Sequence, residues 1–205
     1  MWQHYVAIGD SLTEGIGDRV AGYERLGWVD QFYDLLASQN PGLRYTNLGV
    51  RDLLFSEIRA TQLALALELK PDLVSVIAGG NDVLKGGWNP RNFENNIAEM
   101  LRQLVASGAT VITSTLPDFY YLPVPAKVKE RLSLQTQEAN GTIRQLALSY
   151  GVKYAEAWDQ PEPRQENFWS SDKVHPNAYG YSEIARIMLE ALESKSPKVS
   201  AEVQK

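Results

Sequence analysis

Short apolar runs alternate with amphipathic segments along nearly the whole chain, and no other sequence feature narrows the possible folds so far. Five runs, at residues 5–8, 45–50, 73–78, 110–115 and 152–157, are rich in Val, Ile, Thr and Tyr. Several are apolar without a break, as strands covered on both faces are. The segments between them keep helical spacing. Val29, Phe32, Tyr33 and Leu36 share one face, closed by Asn40-Pro41-Gly42. Residues 56–70 are rich in Leu and Ala and stop before Pro71. Phe93, Ile97, Leu101 and Leu104 form a third stripe, with Pro90 suited to its first turn and Gly108 to its end. Val128, Leu132, Ala139, Ile143 and Leu146 run on through Asn140-Gly141, which predicts one long helix with a weak spot. Tyr181, Ile184, Ala185, Met188, Leu189 and Leu192 complete the set. Such alternation predicts an α/β protein: a five-stranded, mostly parallel sheet with helices on both faces, joined by right-handed crossovers.

The 205 residues, 44% hydrophobic and 22% charged, suffice for one domain with a sizeable core. We place it at residues 1–193, followed by a polar, aperiodic tail at 194–205. Net charge is -5, and Lys and Arg form no stripe, so nucleic acid is not an expected partner. With no cysteine there is no disulfide, no thiolate nucleophile and no Cys-based metal site. No apolar run approaches membrane-spanning length, and Met1-Trp2-Gln3-His4 lacks a basic region followed by an apolar stretch. The expectation is a cytoplasmic protein with no membrane span.

Ligands of open α/β sheets bind outside the carboxyl ends of the strands. Three predicted strands run into Gly9-Asp10-Ser11, Asn47-Leu48-Gly49-Val50-Arg51-Asp52 and Gly79-Gly80-Asn81-Asp82. A fourth segment, Asp172-Lys173-Val174-His175-Pro176-Asn177, precedes the last helix, with Pro176 suited to that helix's first turn. All four can meet at one rim of the sheet. A serine hydroxyl becomes a nucleophile only when a base takes its proton. Of the two histidines, His4 opens the first strand, at the end away from Ser11, and is expected to be structural. That leaves His175 as the base, and Asp172, three residues earlier, to orient it. The Ser11 amide, the unobstructed Gly49 amide and the Asn81 side chain are candidate donors to an oxyanion. Asp10 and Asp82 are expected to brace their loops.

In order and spacing, Gly-Asp-Ser-Leu, the Gly49 loop, Gly-x-Asn-Asp and Asp-x-x-His resemble the four blocks of the GDSL/SGNH hydrolase family, over Tyr5 to about Leu192. The resemblance implies a three-layer, flavodoxin-like α/β/α fold and a catalytic triad of Ser11, His175 and Asp172. It also implies an oxyanion hole of Ser11, Gly49 and Asn81, with no metal and no cofactor. The implied activity is that of an esterase or lipase acting on a small-molecule ester. Thr13 departs from the Gly-x-Ser-x-Gly elbow of the α/β-hydrolases. Asp52 stands where many relatives have glycine, which puts the local loop geometry in question.

Two other classes compete. Dinuclear metallophosphoesterases also carry Gly-Asp and Gly-Asn-Asp at strand ends, but they need several histidines and only one lies at this rim. A non-catalytic flavodoxin-like module would use the same loops as a pocket. The aromatic residues of 119–125, Phe168-Trp169 and Trp88 either line an apolar acyl or alcohol site or cap the sheet. An open site predicts short- to medium-chain acyl esters, with thioesters or lysophospholipids as further targets.

Overall fold

A computed structural model describes residues 2–194. In chain order the elements are β1 (His4–Gly9), α1 (Ser11–Glu14), α2 (Trp28–Gln39), β2 (Arg44–Asn47), α3 (Phe55–Glu68), β3 (Leu73–Ile77), α4 (Gly80–Leu84) and α5 (Pro90–Ala106). After them come β4 (Thr110–Ser114), α6 (Ala126–Tyr150), β5 (Lys153–Ala155) and α7 (Ala178–Glu193). The five strands pair in the order β2-β1-β3-β4-β5, every pair parallel. That is the flavodoxin-like order, and it puts all the strand ends of the proposed site on one rim.

Alternation within each strand sorts the core into two layers. In β1, Val6 and Ile8 pack with α3, α5 and α6, whereas Tyr5 and Ala7 pack with α2 and α7. A slip of one residue would exchange the two sets, so burial on both faces fixes the register. The side chains of β1 and β3 are buried throughout. Edge strand β2 is half-exposed.

Some expected boundaries shift. The second run, expected at 45–50, forms a strand only over Arg44–Asn47. Beyond it the chain still pairs irregularly with β1, Leu48 N–H donating to Ala7 O and Val50 N–H to Gly9 O. The fifth run shortens to Lys153–Ala155. Pro176 lies before the cap of α7 and not in its first turn, because Asn177 takes the cap and accepts from Gly180 N–H. The expected weak spot in α6 is a brace: buried Asn140 donates to Leu116 O and accepts from Leu116 N–H, at 2.8 and 2.7 Å. Beyond Ser194, the expected tail lies outside the described residues. Among the described residues no helix is long and apolar enough to cross a membrane.

Candidate active site

The turn that carries Ser11 is built by its neighbours. Asp10 caps α1, its carboxylate accepting from Leu12 N–H at 3.1 Å. A side chain on Gly9 would meet Ile77 O and Thr13 Oγ1 at 2.2 Å, so only glycine lets α1 fold back on the strand end. Gln62, buried on α3, grips the Gly9 backbone on both sides, accepting from its N–H and donating to its carbonyl at 2.9 Å. These contacts leave Ser11 at the start of the turn with its hydroxyl toward the 172–175 loop.

That loop is held by Asp172. Its Oδ1 accepts from the backbone N–H of Val174 and His175, at 2.9 and 3.0 Å. Its Oδ2 lies 2.6 Å from His175 Nδ1. A carboxylate only accepts, so the proton sits on Nδ1, and Nε2 is free to accept from the Ser11 hydroxyl 2.9 Å away. Ser11 and His175 are 164 residues apart in sequence, and the chain after α1 bridges them. Asp18 accepts from Ser171 N–H and receives Ala178 N–H on its carbonyl, and the Tyr181 hydroxyl donates to Ile16 O.

Electrostatics follow from burial. Burial raises the Asp10 carboxyl to about 6, against the pull of the Leu12 hydrogen bond. For Asp172, partial burial pushes upward too. Hydrogen bonds from the His175 ring and from two backbone amides outweigh it and hold the carboxyl below its ordinary value. Asp172 is therefore a stable anion behind the imidazole. Asp82, raised by burial, accepts from Phe55 N–H at 2.9 Å and fixes the start of α3. Like Asp10, it braces a loop. His4 is tied to Leu69 O and Thr46 Oγ1, far from the site.

A cavity of about 380 Å³ opens at the rim, and Ser11, Asn81 and His175 line it. Its wall is mostly apolar, with Leu12, Ile77, Leu116, Phe119 and Ile187 among its residues. Tyr121, Phe168 and Trp169 also face it, so those rings line the space and do not merely cap the sheet. Trp88 is elsewhere, donating to Glu138 and packed on Phe93. Among the described residues no group of three or more His, Cys, Asp or Glu is placed to hold a metal ion.

Asn81 donates one amide hydrogen to Leu53 O at 3.0 Å and keeps a second for the cavity. Gly49 departs from expectation. Its N–H donates to Asn47 Oδ1 at 2.9 Å, and it does not line the cavity. The glycine does serve a close approach, but to protein backbone: a Cβ there would meet Glu14 N at 2.4 Å. Three residues on, Asp52 adopts φ 68°, the left-handed conformation that glycine takes freely and aspartate tolerates. Arg51 and Asp52 line the cavity, and the Asp52 N–H has no acceptor among the described residues. Sequence reasoning missed the two amides that set the turn, Gln62 and Asn47. Asn47 donates to Thr13 O at 2.7 Å.

The model of the GDSL-like Lipase/Acylhydrolase family matches residues 7–182. This chain belongs to that family. Esterase TesA of Pseudomonas aeruginosa is 31% identical over 110 residues, 54% of this GDSL chain. The match spans about half of that relative, 52% of its length. Among solved structures, TesA superposes with TM-score 0.73 at 23% identity, covering 93% of this chain and 98% of that one. Axe2, an acetylxylan esterase from Geobacillus stearothermophilus, gives 0.73 at 18% identity, with 97% of each chain covered. LAE5, an alpha/beta hydrolase enzyme from the metagenome of Lake Arreo, gives 0.73 at 22% identity, over 92% of this chain and 94% of that one. At such identities the likeness is one of fold.

Proposed function

We propose that this GDSL-family chain is a serine-dependent carboxylic ester hydrolase that works through an acyl-enzyme. The observation that carries the reading is His175, its ring bridging the Ser11 hydroxyl at 2.9 Å and the Asp172 carboxylate at 2.6 Å. A pocket that only binds has no use for an imidazole held in one tautomer between a hydroxyl and an anion. In the first half-reaction Ser11 Oγ bonds to the carbonyl carbon while its proton passes to His175 Nε2. The imidazolium, stabilised by Asp172, then gives that proton to the departing alkoxide, and the C–O bond of the ester breaks. In the second half, water loses a proton to His175 and attacks the acyl carbon, and Ser11 leaves as the hydroxyl. The negative oxygen formed in each half is met by the Ser11 N–H, the second hydrogen of Asn81 and the Asp52 N–H.

The apolar wall supports an acyl group as the part held inside. A cavity of about 380 Å³ lies near the lower end of small-molecule sites, which suits short- to medium-chain acyl esters. Thioesters pass through the same intermediate and belong to the same reading. The test is labelling with a fluorophosphonate, mass mapping of the modified residue, and initial rates on p-nitrophenyl esters from acetyl to palmitoyl. Modification of Ser11 with rates falling at the longest chains is the expected result. Failure to label Ser11, with no ester hydrolysed, would overturn the reading.

A further inference from the structure

Two recesses, one of them the proposed site, share part of their lining. The first is the cavity of about 380 Å³ that holds Ser11. The second, about 300 Å³, is edged by polar Arg164, Gln165, Glu166 and Lys173. Tyr121, Pro163 and Trp169 line both. The two rings are stacked, with centroids 3.8 Å apart and planes at 21°. They come from different loops, Tyr121 from the turn after β4 and Trp169 from the segment before Asp172, so the shared lining there is a contact and not a continuous piece of chain.

We propose that the Tyr121–Trp169 stack is the end wall of the acyl cavity and sets the longest acyl chain the site accepts; this rests on the ester-hydrolase reading above. The two rings are not held alike. Trp169 donates from Nε1 to Pro163 O at 2.8 Å, pairs through its backbone with Pro176, and meets the Phe168 ring edge-on at 4.8 Å. Tyr121 ends a three-residue 3-10 turn at Phe119–Tyr121 and meets the Phe119 ring at 6.4 Å, with no hydrogen bond from its hydroxyl among the described residues. Tyr121 is thus the half that can be trimmed without loosening the loop that carries His175. Removing its ring joins the two recesses. A chain that stops at the wall in the native protein then passes into the second space and gains apolar contact with Pro123 and Pro163.

Each buried methylene is worth about four-fold in binding, so rates should climb with acyl length until the wall is met. The experiment measures rates on p-nitrophenyl esters, and inactivation of Ser11 by alkyl fluorophosphonates, from four to sixteen carbons. Native protein is compared with Tyr121→Ala, Tyr121→Phe and Ile187→Ala. Tyr121→Ala is expected to raise the palmitoyl-to-octanoyl ratio on the order of ten-fold, the burial of roughly two more methylenes. Tyr121→Phe keeps the ring and the native profile. A Tyr121→Ala profile that falls or rises equally at all lengths would overturn the proposal. So would a limit that moves with Ile187→Ala, on the α7 wall, and not with Tyr121→Ala. If no probe modifies Ser11 in native protein, the hydrolase reading has failed; if all modify it with unshifted profiles, only the wall has.

Discussion

The two halves of the site are held by different kinds of force. On the imidazole side, buried Gln62 grips Gly9 beneath Ser11, and the exposed histidine loop is set by hydrogen bonds to backbone amides, from Asp172 within it and from Asp18 across to the nucleophile turn. On the donor side, the loop at 49–53 is exposed and held by charged groups. Arg51 pairs with Glu14, and Lys85 reaches the carbonyl and carboxylate of Asp52. Exposed pairs of this kind contribute about 0–1 kcal/mol each. In the proposed mechanism, the half that presents the proton acceptor is held through backbone amides. The half that must receive a forming oxyanion is built on a softer loop.

The contrast is broken most strongly from the imidazole side. Ser11→Ala or His175→Ala should lower kcat/KM by about four to six orders of magnitude, with an unchanged thermal midpoint, because triad members act as a unit. Asp172→Asn should cost about 10⁴-fold, since the amide would hold the wrong tautomer of His175. Steady-state rates and melting curves on the same samples check both; a loss below ten-fold in any of the three would end the triad assignment. On the donor side, Asn81→Ala should cost about 10²- to 10³-fold. The loss should fall on kcat more than on KM, because the hydrogen bond is made to the intermediate.

The ease of reading these halves from sequence follows the same division. The sheet was legible because strands buried on both faces are apolar at nearly every position, as in β1 and β3. The pairing of Asp172 with His175 was legible because they sit three residues apart in one turn. The partner of the Gly49 N–H was not legible, because sequence does not say that the Asn47 side chain folds back to take it. Gln62 and Asn140 were missed as braces for a related reason. An amide within an apolar helical stripe reads as a defect until a strand end is seen to need its two hydrogen bonds.

Burial on the imidazole side has a measurable cost at Asp10. With its carboxyl raised by burial to about 6, the folded state favours the protonated form. That contribution to stability is full below the ordinary value of 3.8 and is lost as pH rises through about 6. Asp10→Asn mimics the protonated group and can keep the bond from Leu12 N–H. At pH 8 it should be more stable than the native protein by about 3 kcal/mol, the gap closing toward pH 4. Asp82, raised in the same direction, should leave a residual slope of the same sign in the variant. Urea titrations at four or five pH values check this. Parallel stability curves would mean that the base of the nucleophile turn is wet.

The smallest effect should come from the donor loop itself. Arg51 grips Glu14 with two guanidinium nitrogens, at 2.5 and 3.0 Å, and gives its own N–H to the same carboxylate at 2.6 Å. Glu14 closes the turn that begins at Ser11, so this pair is the charged link between the halves. Arg51→Ala removes the guanidinium and keeps the backbone bond. A loss of about two- to five-fold in kcat/KM is expected, matching an exposed pair worth up to about 1 kcal/mol. Native rates should soften toward those of the variant as salt rises to 1 M, where screening shortens to about 3 Å. A loss of a hundred-fold, insensitive to salt, would show that the donor loop has no rigidity of its own and borrows it from the nucleophile turn through one carboxylate.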